Sequence, residues 1–96
     1  MPTYERSPRF RRDFDALDPA EQRAVLAAVR QFVDGLREGT FDPRLRVKRV
    51  HGHEAIWELT WAADGRATFM YGEEIQGGEP HIIWRRVGTH AIFRRP

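Results

Sequence analysis

Apolar positions recur along this chain with two periods, and the change falls near Pro43. In the first part they come at Phe10, Phe14 and Leu17, then at Val25, Val29, Phe32, Val33 and Leu36. Spacings of three and four lay one stripe along a helix. Ser7-Pro8 supplies an N-cap and a first-turn proline. Asp18-Pro19-Ala20-Glu21 has the N-cap acid, N1 proline and N3 glutamate of a capping box, and Gly39 closes the pattern. Residues 7–38 therefore read as a helical hairpin, with Thr3 to Glu5 a short strand before it. Beyond Pro43 the period drops to two. Leu45 to Lys48, Ile56 to Trp61 and Arg66 to Tyr71 alternate, and Ile82 to Val87 forms a last strand. Ala63-Asp64-Gly65 is a turn signal, and residues 73–80 make a polar, glycine-rich loop.

A helical hairpin followed by a meander gives an α+β class, with the hairpin packed on one face of a mainly antiparallel sheet of about four strands. Residues 1–96 read as one domain. Alternation sends Trp57, Leu59, Trp61, Ala67, Phe69 and Tyr71 into the core, and Glu58, Thr60, Arg66 and Thr68 to a face left open. The tryptophans, Trp84 included, read as core rather than as stacking platforms. The last strand stays ambiguous, since each of its faces carries an isoleucine and an arginine.

Composition narrows the setting. The absence of cysteine removes disulfides and thiolate metal sites, and no stretch approaches the ~20 apolar residues of a spanning helix. The expectation is a cytoplasmic protein without a membrane partner. Net charge is only +2, but the cations are fifteen arginines to one lysine. Arginine's planar fork suits phosphate; a GC-rich genome would give the same bias. Distribution says more. Residues 44–49 hold Arg44, Arg46, Lys48 and Arg49 with no acid, and the final sixteen hold Arg85, Arg86, Arg94 and Arg95 with His81 and His90, again without an acid. The two segments would make one basic patch if their strands shared a sheet face.

That open face suggests RNA cleavage without a metal. The reaction needs a base for the 2′-hydroxyl proton, cations for a pentacoordinate phosphate, and an acid for the leaving 5′-oxygen. His51 and His53 follow the first basic strand and His90 the last, and histidine serves either proton transfer. His-Gly-His alone is a poor metal site without further ligands, so no metal and no cofactor are expected. The residue-level alternatives are ordinary: Arg66 as a surface arginine paired with Asp64, Lys48 as a solvated strand residue, and Arg94-Arg95 as a charged end. Arg85 and Arg86 read as phosphate binders, with salt bridges to the acidic loop as the alternative.

The stretch from Leu45 to Phe93, about half the chain, resembles the RelE/ParE toxin superfamily of type II toxin–antitoxin systems, with the helical hairpin agreeing in placement. Lys48 lies on the basic strand where RelE-like toxins carry active-site lysines. Arg66-Ala67-Thr68-Phe69 resembles a signature whose arginine contacts the scissile phosphate. Arg86 to Phe93 is similar to the YafQ-like branch, whose Gly-Thr-His segment supplies a catalytic histidine, here His90. Asp64 and one of His51 or His53, with His53 preferred, fall where that branch has functional residues. A branch histidine near the second strand has no counterpart, because Thr60 and Trp61 stand there. The resemblance implies a ribosome-dependent mRNA endonuclease leaving a 2′,3′-cyclic phosphate, and a cognate antitoxin as partner. His90, Arg66, Lys48, His53 and Asp64 would then be catalytic, and Arg46, Arg49, His51, Arg85 and Arg86 would bind RNA. The competing expectations are a ParE-like inhibitor of DNA gyrase and a degenerate member that binds only antitoxin or RNA.

Overall fold

The computed structural model describes residues 1–96. Strand β1 (Thr3–Arg6) precedes helices α1 (Pro8–Ala16) and α2 (Pro19–Leu36). A 3-10 turn at Pro43–Leu45 leads into the strands β2 (Lys48–Arg49), β3 (Trp57–Thr60), β4 (Gly65–Gly72) and β5 (His81–Thr89), and a 3-10 segment, His90–Arg94, follows. The strands form one sheet in the order β1-β5-β4-β3-β2. Only the β1–β5 pair is parallel. No helix is long and apolar enough to cross a membrane.

The expected caps are present. The Ser7 hydroxyl accepts from the Phe10 N–H and donates to the Arg85 carbonyl at 2.9 Å, so one side chain both starts α1 and ties it to β5. Asp18 and Glu21 close their capping box reciprocally at 2.8 and 3.0 Å. The apolar stripe then meets the sheet. Phe32 is fully buried, its ring 4.9 Å from Phe41, 4.7 Å from Phe69 and 5.5 Å from Trp84. Burial of side chains this size contributes about 1.5–3 kcal/mol each, which fixes the hairpin against β4 and β5.

Several expectations need correction. The sheet has five strands rather than about four, because β1 joins it beside β5. The strand expected from Leu45 shrinks to Lys48 and Arg49: Asp42 caps the Pro43 turn, Leu45 is buried in that turn, and Arg46 is left-handed with φ 48°. Tyr71, expected in the core, is 44% exposed and meets Trp57 edge-on. The ambiguity of β5 is resolved by a β-bulge. Thr68 pairs with Arg86 and Phe69 with Trp84, leaving Arg85 unpaired. One extra residue shifts the alternation, so Ile82, Trp84 and Val87 all face the core, while Ile83, Arg85 and Arg86 face away from it.

The face expected to be open is partly covered. Residues 90–96 fold back across it, burying Ile92. Thr68 is fully buried there, and its hydroxyl donates to the Pro96 carbonyl at 2.9 Å. A buried hydroxyl needs a partner, and the returning backbone provides one.

Candidate active site and basic cleft

The turn between β3 and β4 is built around Trp61. Its ring lies so close to Gly65 that a Cβ there would sit 2.5 Å from it, which only glycine avoids, and its indole N–H donates to the Arg66 carbonyl at 3.0 Å. Arg66 itself folds back over the turn. Its Nη1 donates to the carbonyls of Gly65 at 2.9 Å, Ala62 at 3.2 Å and Ala63 at 3.4 Å. The residue is only 8% exposed, so it is not the solvated partner of Asp64 that the sequence allowed. It acts first as a brace that holds the turn in shape.

The braced turn presents Asp64 to the segment after β5. There Thr89 caps the 3-10 turn by accepting from the Ala91 N–H at 3.2 Å, which sets the direction of His90. His90 Nδ1 donates to Asp64 Oδ1 at 2.5 Å, and its ring meets Phe93 edge-on at 5.5 Å. The hydrogen bond from His90, helped by the His90 and Arg66 charges, holds the Asp64 carboxyl below its usual range. With the Nδ1 proton committed to Asp64, Nε2 is left for proton transfer, and the side chain is 54% exposed. Asp64 and His90, separate members of the expected catalytic set, are brought together by the fold.

Across the same face run two rows of paired residues. One is Lys48, Glu58, Thr68 and Arg86; the other is Thr60, Arg66 and Gly88. Lys48 is exposed at the far edge, three strand spacings from β5, or roughly 14 Å along the sheet. Glu58 is 7% exposed between Lys48 and Thr68, a carboxylate on the site face that the sequence reading placed but gave no role. The basic run from Arg44 to Arg49 does not form one patch. Arg44 is held by Asp42 at 2.8 Å, which lowers that carboxyl to about 2. Arg46 lines a separate cleft with Arg66, on the other side of the β3–β4 turn. Arg49 pairs with Trp57 on the helix side, its guanidinium 5.2 Å from that ring. Strand alternation makes this unavoidable: Lys48 and Arg49 cannot share a face.

The main concentration of charge lies elsewhere. A cleft of about 530 Å³ runs between the loop around His53, the outer face of β5 and the returning tail. Arg85 and Arg86 line it as expected, joined by Arg9 from α1 and by Arg94 and Arg95 from the tail. Only Arg86 among these arginines has an acidic partner, Asp13 at 2.7 and 3.2 Å. Asp13 also accepts from the Val87 N–H at 3.1 Å, just past the last β1–β5 pair, Arg6 with Trp84. His51 is exposed in the turn after β2 and is not part of the cleft wall. The salt bridges to the acidic loop that were the alternative for Arg85 and Arg86 do not form. Arg94 and Arg95 were visible in the sequence as half of an acid-free tail. Arg9 gave no signal, because only folding brings α1 to the far end of the chain.

Solved structures of similar shape place this arrangement. A YoeB/ParE toxin from Agrobacterium tumefaciens matches with a TM-score of 0.69 at 10% identity, over 92% of this chain and 98% of that one. YafQ from E. coli strain BL21(DE3) matches at 0.63 and 14% identity, over 95% and 96%. The RelB–RelE antitoxin–toxin complex from Methanococcus jannaschii matches at 0.61 and 12% identity, over 93% of each chain. The fold is RelE-like. No family model matches the sequence, and no curated protein matches it either. The structural neighbours of this RelE-like fold are thus toxins of toxin–antitoxin systems, and the likeness is one of fold.

Proposed function

We propose that this protein is the toxin of a type II toxin–antitoxin pair and cleaves mRNA on the ribosome without a metal. The observation that carries the reading is the His90–Asp64 hydrogen bond, with the Arg66 charge near Asp64. Asp64 orients the imidazole, and His90 Nε2 delivers a proton to the leaving 5′-oxygen. The 2′-oxygen attacks phosphorus, the P–O5′ bond breaks, and the product is a 2′,3′-cyclic phosphate. His53, expected as a catalytic residue, lies on the wall of the separate arginine cleft, so water takes the 2′-hydroxyl proton. Arg66 keeps the turn in place and offers its remaining N–H groups to the phosphoryl oxygens, with Arg85 and Arg86 further along β5. Lys48 supplies charge from the opposite edge. Solved relatives of this fold include a toxin held by its antitoxin, the RelB–RelE complex, and a cognate antitoxin is the partner proposed for this chain.

The test is induced expression in bacteria alongside cleavage of mRNA on translating ribosomes. Wild type should halt growth and cut mRNA, and His90→Ala should lose about 10²–10⁴-fold of the cleavage rate. Full toxicity in both His90→Ala and Arg66→Ala would sink the nuclease reading. Gyrase-dependent DNA breaks with intact mRNA would establish the inhibitor in its place.

A further inference from the structure

We infer that the arginine cleft beside β5 is a second binding site, separate from the His90–Asp64 pair, that tracks the phosphates of a single RNA strand some nucleotides away from the cut. The inference rests on the nuclease reading for which strand is bound, and on the cleft alone for the chemistry.

Three segments far apart in sequence converge on it: the start of α1 with Arg9, the bulge of β5 with Arg85 and Arg86, and the tail with Arg94 and Arg95. The tail's backbone is pinned. The Arg95 carbonyl accepts from Arg86 Nη1 at 3.2 Å, and the Pro96 carbonyl accepts from Thr68 Oγ1 at 2.9 Å and from Arg85 Nε at 3.2 Å. Arg94 and Arg95 are exposed, and neither they nor Arg9 makes an ion pair. A fixed backbone carrying unpaired guanidinium groups is preorganised for an anion, because little is left to order on binding. Of the ten lining residues only two are hydrophobic, and none is acidic. A protein partner would need an apolar anchor at the centre of its interface. A polyanion does not, and polar, strongly positive surfaces are what nucleic-acid backbones select. Arginine planes also stack on unpaired bases, which a strand laid in the cleft would present.

The spacing gives the register. Along β5 the cleft residues Arg86 to Ile83 lie three to six positions before Thr89, which adjoins His90. At about 3.3 Å per residue that is roughly 10–20 Å. A stacked strand advances about 3.4 Å per nucleotide, so the cleft lies about three to six nucleotides from the catalytic pair.

The probe is a set of fluorescein-labelled 2′-O-methyl oligoribonucleotides, about three, six and nine nucleotides long, which cannot be cleaved because the 2′-oxygen is blocked. Binding to the whole protein is read by anisotropy over a range of salt. Wild type should gain affinity between the shortest and the longer probes. Arg94→Ala/Arg95→Ala should lose that gain, bind the longest probe about tenfold more weakly, and show a log K against log salt slope shallower by about 1.4, near 0.7 per lost contact. Arg9→Ala should flatten it by about half as much, and Arg94→Lys/Arg95→Lys should restore most of the slope. Unchanged affinity and slope in the alanine variants overturn the proposal. So does a glutamate-rich peptide of equal charge that binds as tightly as the oligonucleotide, which would make the cleft a site for an acidic protein. The probes cannot be cleaved, so binding is read independently of the chemistry and the two readings fail separately. Toxicity surviving in His90→Ala removes the nuclease, whereas length-independent binding removes the cleft.

Discussion

At the residue scale, the proposed chemistry depends on which nitrogen of His90 carries a proton, and the Asp64 carboxylate, 2.5 Å away, accepts it from Nδ1. Asp64→Asn keeps the shape but no longer fixes the proton on Nδ1, because an amide can also donate to the ring, so ribosome-dependent cleavage should fall by about 10- to 100-fold, less than for removal of the ring. The sign of the pH effect follows from the lowered Asp64 carboxyl. A depressed carboxylate stabilises the fold above its ordinary value of 3.8, and that contribution disappears as pH falls through the lower folded value. Asp64 is therefore charged throughout the range in which a histidine titrates. A pH–rate profile taken from about 5 to 9 should lack an Asp64 inflection. An acidic limb near neutrality that vanishes in Asp64→Asn would show that the carboxylate, rather than a ring, is the titrating group. Arg66 teaches the opposite lesson. Its type and position suggested a phosphate contact, yet its Nη1 is already engaged by three carbonyls. Arg66→Ala should thus perturb the turn as well as the rate, and Arg66→Lys, without the planar fork, should not repair it.

At the scale of elements, α1 is tied to the site by one carboxylate. Asp13 accepts from Arg86 and from the Val87 N–H, replacing a strand partner where β1 has ended. Removing it leaves a half-buried guanidinium and an unpaired edge amide. Asp13→Ala should cost about 1–3 kcal/mol in urea unfolding, while Asp13→Asn, which still accepts from Val87, should cost less. An alanine variant as stable as wild type would show that the edge is solvated instead. The elements themselves were legible in the sequence where one period dominated: the helical stripe, the Asp18 capping box and the alternation of β3 and β4. Legibility failed where a single residue changed the geometry. Arg46 turned left-handed and shortened β2, and the extra residue at Arg85 moved β5 out of step. Neither leaves a compositional trace, since both are decided by pairing with a neighbouring strand.

At the scale of the molecule, the core is narrow and aromatic. Phe32 is its centre, touching Phe41, Phe69 and Trp84. Phe32→Ala should cost about 3–5 kcal/mol, most of the stability of a domain this small, and thermal melting should show a large fall or no cooperative transition. A drop of only a few degrees would mean the aromatic cluster repacks. The candidate site was half legible for a related reason. His90 and Asp64 lie within a contiguous half of the chain whose motifs can be read together, whereas the arginine cleft joins Arg9 to Arg95 and exists only once those distant segments meet.

That meeting runs through β5, which carries the parallel partner of β1, the antiparallel partner of β4 and the anchor of α1. The ribosome makes β5 after all of them. Until its last residues emerge, β1 has no strand to pair with and the hairpin lacks Trp84, part of the surface it packs on, because chains are threaded out N-terminus first. The same residues lead into His90 and the tail arginines. A nascent chain therefore stays unassembled and lacks the proposed proton donor until β5 and the His90 segment have emerged, so a copy interrupted before them is expected to be inert inside the cell that makes it.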